Sequence, residues 1–131
     1  MDIRLLDVEM VIEHHILLIE QFGGASGLRD RGLLESAVMG AAQTFGGRLL
    51  NSDVFEIAAS YLFSLVNNHP FEDGNKRVGA FSALTFLDWN GIEIIATNDE
   101  IYDLTIAVAE NRARKEDVAD FFRLKARVDR P

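Results

Sequence analysis

Only one proline, Pro70, lies inside this chain; the other, Pro131, is terminal. Proline inside a helix removes a hydrogen bond and clashes with the preceding turn. Both flanks of Pro70 are therefore free to run as helices, and the apolar pattern says that they do. From Asp7 to Phe22, Val8, Val11, Ile12, Ile16 and Ile19 recur at helical spacing, until Gly23-Gly24 interrupts it. A turn-rich stretch, GGASGLRDRG, follows, and then an Ala-rich helix from Leu33 to Phe45 that ends near Gly46-Gly47. Ser52 is placed to cap a third helix over Asp53–Asn67, with Glu56 in its early turns. Asn68 to Asn75 is a loop, Lys76 to Trp89 a fourth helix, and Asn90-Gly91 its stop. Ile92–Ile95 reads as a short strand. Thr97 or Asn98 can cap a fifth helix through Glu110, and a sixth covers Glu116 to Val128. The expectation is an all-α fold: a compact helical bundle that can carry a short strand or hairpin. A chain of 131 residues makes one domain, spanning 1–131.

Composition removes several functions. With no cysteine, disulfides, thiolate chemistry and Cys-ligated metal sites are excluded. A net charge of −8 makes a poor field for direct nucleic-acid binding. No apolar run reaches the roughly 18 residues of a membrane span. The opening residues MDIRLLDVEM lack the basic and apolar regions of a secretory signal, which points to the cytoplasm.

The chemistry concentrates in Asn68 to Ala80, N-H-P-F-E-D-G-N-K-R-V-G-A. This is a loop opening into a helix, and a helix N-terminus offers unpaired N–H groups and positive potential to an anion. Gly74 permits close backbone approach. Lys76 and Arg77 add cations where helix stability alone would favour acids, which makes sense if a phosphate is bound. Asp73 beside a phosphate can hold Mg²⁺, because such sites use one or two carboxylates plus phosphate oxygens. His69 is an acid or base near neutral pH. Phe71 reads as the loop's apolar anchor. Asp73-Gly74 is also a common turn pair, so each residue taken singly reads as structural; the combination does not.

The segment H-P-F-E-D-G-N-K-R resembles the signature of the Fic/Doc superfamily, H-x-F-x-D/E-G-N-G/K-R, in the form with lysine found in death-on-curing toxins. Phe22 to Val38, FGGASGLRDRGLLESAV, and the run FLDWNG are similar as well, so the resemblance covers about residues 8–110. It implies a compact helical bundle. It also implies His69 as general base, Phe71 packing the loop, and Asp73 holding Mg²⁺ on the phosphates of ATP. Gly74, Asn75 and Lys76 would line the anion nest, and Arg77 would neutralise phosphate charge. Adenylylating Fic proteins carry glycine where this chain has Lys76, and a second arginine where it has Ala80. Both departures favour transfer of the γ-phosphate over transfer of AMP. The implied activity is thus a Ser/Thr protein kinase acting on a threonine of elongation factor Tu, arresting translation and neutralised by a cognate antitoxin. The alternatives are a Fic-type adenylyltransferase and a non-catalytic nucleotide-binding module. No S/T-x-x-x-E-G/N inhibitory motif stands in the chain, so inhibition in trans, through an apolar groove, is expected.

The remaining candidates have plainer readings. His14 and His15 are adjacent, point about 100° apart on a helix and cannot form an i,i+4 metal pair. His15, four after Val11, is expected to pack in part against the core. Arg29, Asp30 and Arg31 read as a solvated turn, or by resemblance as a flap that docks the target. Phe81, Phe86 and Trp89 are expected in the core, and Asp99, Glu100, Glu110, Glu116 and Asp117 at helix starts or on the surface.

Overall fold

The structure, a computed structural model, describes residues 2–45, 48, 49, 51 and 53–128. Among these, six helices follow in order: α1 (Val8–Phe22), α2 (Arg31–Ala41), α3 (Val54–Asn68), α4 (Asn75–Trp89), α5 (Asn98–Ala109) and α6 (Lys115–Lys125). Two small antiparallel pairs accompany them, β1 (Thr44–Phe45) with β2 (Arg48–Leu49) and β3 (Ile92–Ile94) with β4 (Ala126–Val128).

The helices begin where short polar side chains meet orphan N–H groups. Asp7 accepts from Met10 N, Asp30 from Leu33 N and Asp53 from Glu56 N, and Thr97 forms a capping box with Glu100. The expected cap Ser52 and the stop at Gly46-Gly47 lie outside the described residues. Asp30 starts α2 two residues earlier than the expected Leu33.

Two helix ends fall short of expectation. The second helix stops at Ala41 rather than Phe45, and Thr44–Phe45, a β-branched and an aromatic residue, pair with Arg48–Leu49 instead. The sixth stops at Lys125 rather than Val128. Its last residues pair with the expected strand, Ile92 opposite Val128 and Ile94 opposite Ala126, so the strand edge is covered. Opposite charges meet across this pair at Glu93 and Arg127.

Helix α3 is the centre, packed by α2, α4, α5 and α6. Ile57, Ala58, Ala59, Tyr61, Leu62, Leu65 and Val66 are all buried, the pattern of a helix enclosed on most sides. Each such Leu or Ile contributes about 1.5–3 kcal/mol relative to exposure. α4 crosses α3 at Gly79, where an added Cβ would lie 3.0 Å from Val66 Cγ2 and 3.3 Å from the Leu62 carbonyl oxygen. The Tyr61 ring stands edge-on to Phe86 with centroids 5.2 Å apart, and its hydroxyl accepts from Leu6 N at 3.0 Å. Burial pushes that hydroxyl up to about 12. The N-terminal strap is tied further by Asn90, which exchanges two backbone bonds with Arg4.

One core expectation, Trp89, needs correction, and the apolar stripe of α1 is only partly buried. Ile16 is 52% exposed; the inward face of α1 is Val11, His15 and Leu18. Trp89, at the last turn of α4, is 39% exposed, whereas Phe86 is fully buried and Phe81 half-buried. No helix among the described residues is long and apolar enough to cross a membrane.

Candidate active site

The loop between α3 and α4 is held from three sides. At its start, His69 caps α3 in the left-handed region, at φ 50° and ψ 54°. Pro70 bars a right-handed continuation there. The orphan carbonyls of the helix end are met by Arg29, whose Nε donates to His69 O at 2.8 Å and Nη2 to Asn68 O at 3.1 Å. The backbone of residues 27–30 runs antiparallel beside the loop. Arg29 N and Asp30 N donate to Pro70 O, Glu72 N donates to Gly27 O, and Leu28 bridges Phe71. Arg29 is therefore not merely a solvated turn residue: its guanidinium fastens the backbone of His69.

Beneath the loop, Phe71 is buried as expected, at 2% exposure. His15, at 3% exposure, stacks flat on it, with centroids 3.9 Å apart and planes within 7°. Its Nε2 lies 2.8 Å from the Asp73 carbonyl oxygen, which can only accept, so this nitrogen donates.

Within the loop, Asn75 acts as a bracket. Its Oδ1 accepts from Phe71 N and its Nδ2 donates to Phe71 O, both at 3.0 Å. That pairing fixes which end of the amide is which. The same Nδ2 sits 3.2 Å from His69 Nδ1, so neutral His69 keeps its lone pair on Nδ1 and its proton on Nε2. Asn75 was expected to line an anion nest. Its residue does line the cleft, but its side chain is turned into the loop.

The outward side carries the charge. Asp73 Oδ1 accepts from Gly74 N at 2.8 Å and Oδ2 from Ala25 N at 3.2 Å. These two bonds, Ala25 first, with Arg77 nearby, hold the Asp73 carboxyl below the usual carboxylate range. Gly24 makes room for this contact: at φ +113° a Cβ there would fall 2.7 Å from Asp73 Oδ2. Gly74, left-handed at φ 75°, opens α4 with no side-chain cap and no acid in the first turn. The first-turn N–H groups thus face the cleft end of the helix dipole without a local acceptor side chain. Arg77 lies over the Phe22 ring at 4.5 Å, a cation–π contact that fixes its exposed head.

Asp73, Gly74, Asn75, Lys76 and Arg77 all line one cleft of about 510 Å³, with Phe22 and α5 forming the other walls. Ala80, one turn further along α4, lines it too. Among the described residues, Asp73 is the single carboxylate in that lining. His69 is not part of the lining; it stands exposed at the loop's start and is linked to the cleft through Asn75.

One loop and the helix start that follows it thus gather an exposed imidazole, the cleft carboxylate, two cations and a helix N-terminus without a side-chain cap. The Fic/DOC family model matches residues 5–87, which takes in α1 through most of α4 and the whole loop. The chain belongs to the Fic/DOC family. Among curated relatives, it is 35% identical over 120 residues to "Protein kinase doc" of Escherichia phage P1, covering 92% of this chain and 94% of that protein. It is 41% identical over 78 residues to "Toxin Doc" of Mycolicibacterium smegmatis, covering 60% of each. Within this Fic/DOC chain the sequence marks the motif and the run Phe22–Val38, but not which of their side chains meet. His15, Gly24, Phe22 and Arg29 reach the loop only through tertiary folding. His15 lies outside that run, and its only signal is its spacing with Val11 and Leu18, which places a polar ring on a core face.

Proposed function

We propose that this chain is a death-on-curing-type toxin that transfers the γ-phosphate of ATP to a protein hydroxyl, a threonine of a translation factor such as elongation factor Tu. It acts in the cytoplasm and is neutralised by a cognate antitoxin, in keeping with the names its relatives carry. The observation that carries this reading is the makeup of the cleft. An uncapped α4 N-terminus, Asp73, Lys76 and Arg77 share it with Ala80, so the position of the adenylylating family's second arginine offers no guanidinium.

In the proposed reaction, the first-turn N–H groups of α4 and the Lys76 and Arg77 side chains hold the triphosphate. They meet the charge that builds on it, the main source of catalysis in phosphoryl transfer. The target hydroxyl oxygen bonds to the γ-phosphorus as the bridge to the β-phosphate breaks and ADP leaves. Its proton passes to the lone pair of His69, displacing the 3.2 Å contact with Asn75. The donor set fits Mg²⁺: Asp73 is held ionised and each of its oxygens keeps a lone pair after its N–H bond, so Asp73 would hold the ion, with phosphate and water as its other ligands. Bound there, the ion would supply charge neutralisation between phosphates.

The test is ATP labelled at either the α or the γ position, incubated with the protein and a cell lysate, followed by intact mass of the labelled product. Label from the γ position alone, with a single added phosphate, is the expected result. Label from the α position, with added AMP, would replace this reading with the adenylyltransferase one. Label from neither would favour a non-catalytic nucleotide-binding module.

A further inference from the structure

We infer that His15 is a positioning residue for the anion-binding turn, setting the orientation of the Asp73–Gly74 peptide from inside the core. The inference deepens the kinase reading and rests on it for its nucleotide-binding readout alone. In a trans peptide the C=O and the following N–H point in opposite directions. Here the Asp73 carbonyl points inward and accepts from His15 Nε2 at 2.8 Å. The Gly74 N–H must then point outward, and it does, donating to Asp73 Oδ1 at 2.8 Å. One hydrogen bond from a buried ring thus fixes the plane that in turn holds the carboxylate at the cleft.

The ring itself has little freedom. It lies flat on Phe71, whose backbone is bracketed on both sides by Asn75. It also abuts the left-handed Gly74, where a Cβ would stand 3.7 Å from Nε2. A glycine peptide is the kind most free to flip, because either orientation is open to Gly. The core slot does not demand histidine for packing, since Val11 and Leu18 on the same face are ordinary aliphatics. A buried imidazole needs a polar partner, and here that partner is the motif's own backbone. Without the His15 donor, the Asp73 carbonyl loses its inward partner, the peptide can turn over, and the carboxylate loses the Gly74 N–H.

Two variants separate the hydrogen bond from the packing. His15→Phe keeps a flat ring on Phe71 and removes the donor. His15→Gln keeps a donor near the Nε2 position and removes the ring. In the nucleotide-free parent, NMR should show a slowly exchanging His15 Nε2–H. The Gly74 amide resonance should move in His15→Phe and return close to the parent's in His15→Gln. By calorimetry, affinity for a non-hydrolysable ATP analogue with Mg²⁺ should fall about tenfold in His15→Phe, the scale of one lost hydrogen bond. His15→Gln should recover most of it. A folded His15→Phe protein with the parent's Gly74 resonance and affinity would overturn the inference. So would a parent without the protected ring N–H. Should His15→Phe fail to fold, His15→Gln decides: a folded variant with a displaced Gly74 amide counts against the hydrogen bond as the device. Should the parent bind no analogue, the kinase reading fails, while the Gly74 resonances still settle the role of His15.

Discussion

At His69 the backbone and the ring answer to different neighbours. Arg29 holds the carbonyl and Asn75 meets Nδ1, so the side chain can change without unfastening the loop. His69→Ala should therefore cut transfer by about two to four decades, the usual worth of a general base. The melting temperature should stay within a few degrees, because the side chain is exposed. A variant that transfers phosphate at the parent's rate would remove His69 from the mechanism. Lys76 makes a second, independent case. It is exposed and lines the cleft beside the uncapped helix start. On the proposed kinase reading, Lys76→Gly should lose a charge-assisted phosphate contact of about 1.5–3 kcal/mol, or roughly 10- to 100-fold in γ-phosphate transfer. Ala80 still supplies no arginine, so AMP transfer should stay marginal unless Ala80→Arg is added. The mass added to the target distinguishes the two. A parent that already adds AMP would mean that Lys76 does not choose the phosphate.

Helix packing sets opposite signs for the same substitution at two glycines. In a helix interior Gly→Ala is worth about 1 kcal/mol of propensity. At Gly79 that gain meets the α3 crossing: Val66 Cγ2 at 3.0 Å is β-branched and stiff, and the Leu62 oxygen at 3.3 Å is backbone. Overpacking of this kind costs about 1–3 kcal/mol, so Gly79→Ala should be net destabilising and lower the melting temperature by several degrees. At Gly40, near the end of α2, no described atom lies within 4 Å of an added Cβ. Gly40→Ala should raise the melting temperature by a few degrees. Thermal scans of both variants check the pair, and a stabilised Gly79→Ala would mean that α3 and α4 can separate more easily than their packing suggests. The elements legible in the sequence were those decided locally. α1, α3, α4 and α5 carry apolar periodicity with caps or stops beside them, and the signature fell on the loop that holds the site. What escaped was decided at long range. Ala126–Val128 leaves the helix because an unpaired strand edge waits at Ile92–Ile94, and Arg127 finds Glu93 across 34 residues of chain. The loop's anchors escaped for the same reason: nothing near His15 in sequence announces Asp73, 58 residues on.

For the molecule as a whole, charge restricts how a toxic effect can arise. With a net charge of −8 the chain has no broad positive field for nucleic acid, and the cations of the cleft, Lys76 and Arg77, are confined to one helix turn. An effect on growth should therefore pass through a modified protein. It should require the His69 side chain, because sequestering a partner needs surface alone whereas transfer needs a base. Expression of the chain by itself should arrest growth, with amino-acid incorporation failing before RNA synthesis. His69→Ala at the same protein level should leave growth intact. Co-expression of the parent with the product of the adjacent small gene should restore growth and yield a complex that co-purifies. Arrest by His69→Ala as strong as by the parent would point to sequestration and against phosphate transfer. A parent that never slows growth would remove the toxin reading, while the labelled-ATP experiment would still decide whether the chain is a kinase.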